Sequence, residues 1–286
     1  MAHHIHSYLE LTKPKITLMA LITTAVGFLL ATSHPINIPL FACTLIGAWL
    51  TGSGANSFNE YLERHFDSQM QRTQNRPLPR HELDPKPAAI FSLTCSALGI
   101  LILLCFVGII PALLALGVLV TYLALYTPLK RHSAWCTVVG AIPGAIPPMI
   151  GVYAVAEIRT PMALFLFLIL FFWQLPHFYA LAWLYKEDYA TAGFCMLSVN
   201  DASGDSTAHA IILTILLLIC ASALPLLETP VSFIYGIGLF ALGTTLLLKA
   251  YNFLRDRNKS NAKKVFMASN FYLLGLLLLL VIDFYL

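Results

Sequence analysis

Nine runs of about 20 apolar residues leave this chain few folds to choose from. They lie at roughly 16–33, 38–58, 87–108, 111–129, 134–155, 161–185, 207–227, 230–250 and 264–285. Each is long enough to cross the hydrocarbon core of a bilayer as a helix, which satisfies its own backbone groups where no water can. Composition agrees: 58% of the 286 residues are hydrophobic and 11% charged, against roughly 25% charged in a soluble domain. The expected fold is all-α, a polytopic membrane protein with nine transmembrane helices around a central cavity open to the cytoplasmic side. One membrane-embedded domain over residues 1–286 accounts for the whole chain. The lipid bilayer is the expected partner; a net charge of +3 offers no basic footprint for a nucleic acid.

Charge placement sets the orientation. Sixteen of the 17 Lys and Arg residues fall on one side of these spans, and only Arg159 on the other. By the positive-inside rule the richer side is cytoplasmic, which puts the N-terminus inside and the C-terminus outside, in the cell (inner) membrane. The N-terminal MAHHIHSYLELTKPK has no small-residue cleavage site, so the first helix is expected to remain in the mature protein. His3, His4 and His6 read as part of a disordered terminus. The six cysteines form no C-x-x-C pair and read as buried small hydrophobes rather than disulfides or zinc ligands. Pro143, Pro147 and Pro148 predict a break in the fifth span. Gly47, Thr51 and Ala55, and again Gly140 and Gly144, mark faces where helices approach closely.

The chemistry concentrates in residues 52–80, GSGANSFNEYLERHFDSQMQRTQNRPLPR, where an apolar run turns into amides, carboxylates and guanidiniums. If the helix continues, Asn56, Asn59, Glu63 and Asp67 share one face. Stacked carboxylates repel unless a cation sits among them. Hard oxygen ligands, few of them from protein, suit Mg²⁺ that also holds substrate phosphates. Arg72, Asn75 and Arg76 follow with donors matched to phosphate oxygens. A second carboxylate at the same membrane level, Asp188 in KEDY (186–189), is what a second Mg²⁺ needs; the alternative is an ordinary charged loop. Asp201 and Asp205 read as capping acids of the seventh span. Lys130 and Arg131 either contact phosphate or anchor a helix to anionic headgroups. His177, inside the sixth span, is either a functional imidazole or a hydrogen-bonded packing residue. Trp49, Trp135, Trp173 and Trp183 suit either the interfacial belt or a cavity wall.

These residues carry a resemblance. N-S-F-N-x-x-x-E-x-x-x-D followed by R-T-x-N-R-P-L resembles the N-x-x-x-D-x-x-x-D motif of the intramembrane aromatic prenyltransferases. LTKPKI (11–16), YTPLKR (126–131), GAIPGAIPPMIG (140–151), FWQLPHF (172–178) and KEDYATAGFCMLS (186–198) extend it, the last two being similar to the haem-farnesylating branch. Glu63 stands where most bacterial members have Asp, and Cys195 and Ser198 where they have Pro; these forms are similar to the mitochondrial branch. The resemblance implies transfer of farnesyl from farnesyl diphosphate to a vinyl group of haem B, giving haem O and diphosphate, with Mg²⁺ as cofactor. It implies metal ligands Asn59, Glu63, Asp67 and Asp188, of which Glu63, Asp67 and Asp188 are catalytic. Diphosphate would meet Asn56, Asn59, Arg72, Asn75, Arg76, Lys130 and Arg131, and haem would meet His177, Trp173 and Gln174. Haem A synthase or a terminal-oxidase assembly would receive the product. A quinone-pathway prenyltransferase shares the diphosphate site, but WQLPHF weighs against it. A transporter explains the Gly/Pro pattern and leaves the acid–amide face unexplained.

Overall fold

The computed structural model describes residues 2–32, 35–156, 160–228 and 233–285. Every regular element among them is a helix: α1 (Ala2–Leu11), α2 (Pro14–Ala31), α3 (Ile38–Asp67), α4 (Pro85–Ile102), α5 (Ile109–Leu119), α6 (Thr127–Leu129), α7 (Cys136–Ala145) and α8 (Pro147–Tyr153). They continue with α9 (Pro161–Leu184), α10 (Lys186–Thr191), α11 (Leu197–Asn200), α12 (Asp205–Ala223), α13 (Pro225–Glu228), α14 (Phe233–Arg255) and α15 (Lys259–Tyr285). Nine segments of the described residues are long and apolar enough to cross a membrane, matching the nine runs.

Several boundaries differ from the apolar pattern. α3 continues past residue 58 to Asp67, because its last polar turns are buried against partners rather than released to water. α14 and α15 close up to the turn 256–258, where a loop over 251–263 is expected. Residues 2–11 form a helix rather than a disordered arm, held through Leu11 and Tyr8 against Leu78, Leu83 and Ala88. α7 and α8 meet at Ile146, the break that the prolines predict. Two π-helical turns, Leu103–Val107 and Val120–Tyr126, interrupt the third and fourth spans, which read as plain α. All six cysteines are free, but Cys136 alone of them is buried; Cys105 and Cys220 are exposed on the outer surface of the bundle. Arg159 and residues 33–34, 157–158 and 229–232 lie outside the described residues.

Lipid tails give helices no apolar drive to associate, so close approach must supply the contact energy. A Cβ on Gly27 of α2 would overlap the Pro148 carbonyl oxygen, and one on Gly151 of α8 would overlap that of Thr24. α3 meets α4 the same way: a Cβ on Gly54 would come within 2.6 Å of the Ser92 carbonyl oxygen. The main apolar core lies between α2, α7, α9, α12, α14 and α15. Within it, Tyr235 donates to the Ser222 carbonyl at 2.6 Å and Tyr272 to the Ser222 hydroxyl at 2.8 Å. A smaller cluster of Met70, Cys136, Phe194 and Met196 seats the segment after α3 against α10 and α11.

Candidate active site

The polar end of α3 is buried. Asn56, Asn59, Glu60, Glu63 and Asp67 are each at most 7% exposed. Three cations from three different parts of the chain neutralise its three carboxylates. Lys130, just after α6, donates to both Glu63 oxygens at 2.7 and 3.0 Å. Arg76 donates to Asp67 Oδ2 at 2.7 Å, and its Nε lies 3.5 Å from Glu60 Oε1. Lys13, between α1 and α2, donates to Asn59 Oδ1 at 3.0 Å and lies 3.9 Å from Glu60. The amides are fixed as well: Asn56 donates to Thr17 Oγ1 and Asn59 to Thr127 Oγ1, both at 3.1 Å.

Local backbone makes these reaches possible. Lys13 adopts the left-handed conformation, φ 49° and ψ 64°, uncommon outside glycine. The wide turn Val120–Tyr126 ends at Thr127, setting Thr127 and Lys130 against α3, and π-turns recur at functional sites. Charges settle accordingly. Burial lowers the Lys130 and Arg76 pKa values, but the carboxylates of Glu63, and of Asp67 and Glu60, outweigh it, so both are raised. For Lys13, burial and then Arg76 prevail and bring it down to about 8.

Asp188 on α10 faces the segment following α3. It accepts from the Arg72 amide at 3.2 Å, while the Arg72 guanidinium donates to the Tyr189 hydroxyl at 3.1 Å and lies over the Tyr185 ring at 4.7 Å. Arg72, Tyr185 and Asp188 share a cleft of about 410 Å³ with Gln71, Glu187 and Lys259. Cys195 donates its amide to the Lys130 carbonyl at 2.7 Å, tying the α10–α11 turn to the Lys130 loop.

Residues 20–274 match the sequence profile of the UbiA prenyltransferase family. The chain belongs to that family. Its relatives include a protein of Solibacter usitatus named protoheme IX farnesyltransferase, 39% identical, with 96% of this chain and 98% of the relative covered. One of the same name from Salinibacter ruber is 38% identical over 98% and 99%. Among solved structures, one described as a digeranylgeranylglyceryl phosphate synthase superposes with a TM-score of 0.82 at 18% identity, over 98% of each chain. A UbiA homolog from Archaeoglobus fulgidus bound to DMAPP and Mg²⁺ gives 0.68 at 15% identity, over 96% of this chain and 99% of the other.

Asn59, Glu63 and Asp67, the residues of the expected motif, are brought together on α3. Whether these residues fit Mg²⁺ can be asked of the donor set. Two buried oxygens, Glu60 Oε2 and Asp67 Oδ1, have no hydrogen-bond partner, so each keeps lone pairs open to a cation. Among the described residues no three His, Cys, Asp or Glu side chains form a metal cage. Mg²⁺ takes one or two carboxylates and completes its shell with phosphate and water. Asn59 and Glu63 have their oxygens on Lys13 and Lys130.

The other expected residues divide. Arg76 and Lys130 join the cluster; Arg72, Asn75 and Arg131 are exposed, Arg72 beside Asp188 and Arg131 over the Phe66 ring at 4.8 Å. His177 is stacked between Trp173 and Phe266, ring centroids 4.9 and 4.4 Å away, and bonds Ser269 Oγ at 2.9 Å. Trp173 donates to the Ser269 carbonyl at 2.6 Å, and Gln174 donates to the Ala141 and Leu170 carbonyls at 3.0 Å each. Asp201 caps α12, accepting from the Gly204 amide at 3.0 Å and from the Thr207 amide and hydroxyl at 2.8 Å each. Sequence reasoning missed Lys13, Thr17, Glu60 and Thr127 as site residues. Glu60 had a signal: 56, 60, 63 and 67 keep a tighter helical stripe than 56, 59, 63 and 67.

Proposed function

We propose that this UbiA-family chain transfers the farnesyl group of farnesyl diphosphate to a vinyl group of haem B, giving haem O and diphosphate. The observation that carries the reading is the buried acid face of α3, with two open carboxylate oxygens beside three cations. The substrate pair follows from relatives named protoheme IX farnesyltransferase. Asp67 and Glu60 would hold Mg²⁺, with Asp188 serving a second ion. Bound there, Mg²⁺ neutralises the departing diphosphate.

The chain's own groups do the rest. Arg76 and Lys130, kept charged by their carboxylates, and Lys13 exchange part of their contacts for phosphate oxygens as the substrate enters. Arg72, with Asp188 and Tyr189, closes over the same end. Cleavage of the farnesyl C1–O bond sends the electron pair to diphosphate and leaves an allylic cation, which the apolar span interior shields from water. The vinyl carbon bonds to C1, water adds to the resulting cation and loses a proton, and the hydroxyethylfarnesyl group results. His177 contacts haem: the Ser269 hydroxyl donates to the Phe266 carbonyl at 2.8 Å, so it accepts from Nδ1–H and leaves Nε2 with a lone pair for iron. Residues 1–286 act as one domain, the α3 acid face toward the cytoplasm in the cell inner membrane, and haem A synthase or an oxidase assembly takes the product. Membranes carrying the protein, given haem B and farnesyl diphosphate, yield a product with the mass of haem O. A mass for a prenylated aromatic acid, from membranes given such an acid, would move the chain to quinone chemistry.

A further inference from the structure

Away from the acid face, a groove on the described surface joins apolar lining to two lysines. It runs between α14 and α15, has a volume of about 360 Å³, and is lined by Leu242, Thr245 and Lys249 on one helix and Lys264, Met267, Ala268, Phe271 and Tyr272 on the other. Both helices present residues at i, i+3 or i+4, and i+7, so each contributes a straight ladder to one wall. The ladders run antiparallel, and the two lysines come out at the same end. That end is the one carrying the α10 acids, since Lys259 pairs with Glu187 at 2.6 Å.

The lysines sit a short way inside the ends of the two helices. Lys249 comes six residues before the end of α14 at Arg255, and Lys264 five residues after the start of α15 at Lys259. At about 1.5 Å per residue, both lie roughly 7–9 Å inside the helix ends. Among the described residues neither meets a carboxylate; Lys264 donates to Asn261 Oδ1 at 3.2 Å. Two other cations at this end have carboxylate partners, Arg257 with Asp205 and Lys259 with Glu187.

We propose that the α14–α15 groove is a binding site for an anionic phospholipid, its phosphate between Lys249 and Lys264 and one acyl chain along Leu242, Met267, Ala268 and Phe271. Two ammoniums above an apolar slot complement a phosphate joined to a hydrocarbon chain. No carboxylate lines the slot to recruit a metal for a diphosphate, which separates it from the α3 acid face. The site stands independently of the reaction assigned above.

Native mass spectrometry of the full chain in detergent tests this, with phosphatidylglycerol and phosphatidylcholine offered at equal concentration. The wild-type protein retains phosphatidylglycerol preferentially. Lys249→Gln with Lys264→Gln lowers that preference about 30-fold, as two cations near an anionic headgroup imply. Lys249→Arg with Lys264→Arg preserves it, and so does Lys263→Gln, one position off the groove. Ala268→Trp, which fills the slot and leaves both lysines, also reduces retention. Equal retention of the two lipids by the wild-type protein overturns the proposal. So does a preference unchanged in the double Gln variant, or displacement of phosphatidylglycerol by farnesyl diphosphate. A dimer that forms through this face and excludes lipid overturns it too.

Discussion

Asp67 meets Arg76 with one carboxylate oxygen and leaves the other open, so its two oxygens have separable work. Asp67→Asn removes the charge and keeps the shape; turnover is expected to fall about 10²-fold or more, as for loss of one electrostatic stabiliser. Asp188→Asn is the sharper probe, because an amide oxygen can still accept the Arg72 N–H. A comparable loss there reports the missing charge, and near-normal turnover removes Asp188 from the reaction. Lys13 gives the site a pH edge. With its pKa down at about 8, it is cationic below that value and loses its charge as pH rises through it. Since kcat/KM reports the free enzyme, kcat/KM for farnesyl diphosphate should decline above about pH 8, and Lys13→Arg should push the decline to higher pH. A wild-type profile flat to pH 9.5 would exclude Lys13 from diphosphate binding. His177→Ala should shift the Soret band of bound haem and weaken haem binding with little change in farnesyl diphosphate affinity. An unchanged spectrum would return His177 to simple packing between Trp173 and Phe266.

At the scale of elements, the α2–α8 seam is the least forgiving contact. Gly151→Ala puts a methyl into the Thr24 backbone, which cannot move aside as a side chain can. Overpacking of this kind costs about 1–3 kcal/mol, so the thermal midpoint in detergent should drop clearly. Gly236→Ala meets open space and should leave it nearly unchanged. Equal midpoints for the two variants would mean that the seam yields. Apolar length and the proline pair located the spans and the α7–α8 break from sequence, because both act locally. The end of α3 was harder to read. Hydropathy stops at residue 58, while the helix goes on because Lys13, Arg76 and Lys130 arrive from elsewhere to bury its acids. The π-turns were hidden for a related reason: an uninterrupted apolar run looks the same whether its turns hold 3.6 residues or more. Asn75 and Arg131 sit beside Arg76 and Lys130 in sequence, yet both are exposed while their neighbours pair with the buried acids. Adjacency gives type and not direction.

For the molecule as a whole, sixteen of 17 Lys and Arg residues fix the expected orientation. A reporter fused after Leu286 should be active only outside the cytoplasm; cytoplasmic activity would mean an odd number of spans is wrong. The acid face also has a consequence for how the protein is made. Arg76 lies nine residues beyond Asp67, but Lys130 lies 67 residues beyond Glu63. At 5–20 residues per second, translation needs roughly 3–13 s to cover that second interval. For those seconds a nascent chain already holding its second span carries a Glu63 carboxylate without the ammonium that pairs with it, and two further spans must emerge before Lys130 arrives. Biogenesis must therefore keep the α3 end at the wet rim until the fourth span is delivered, and only then let it close.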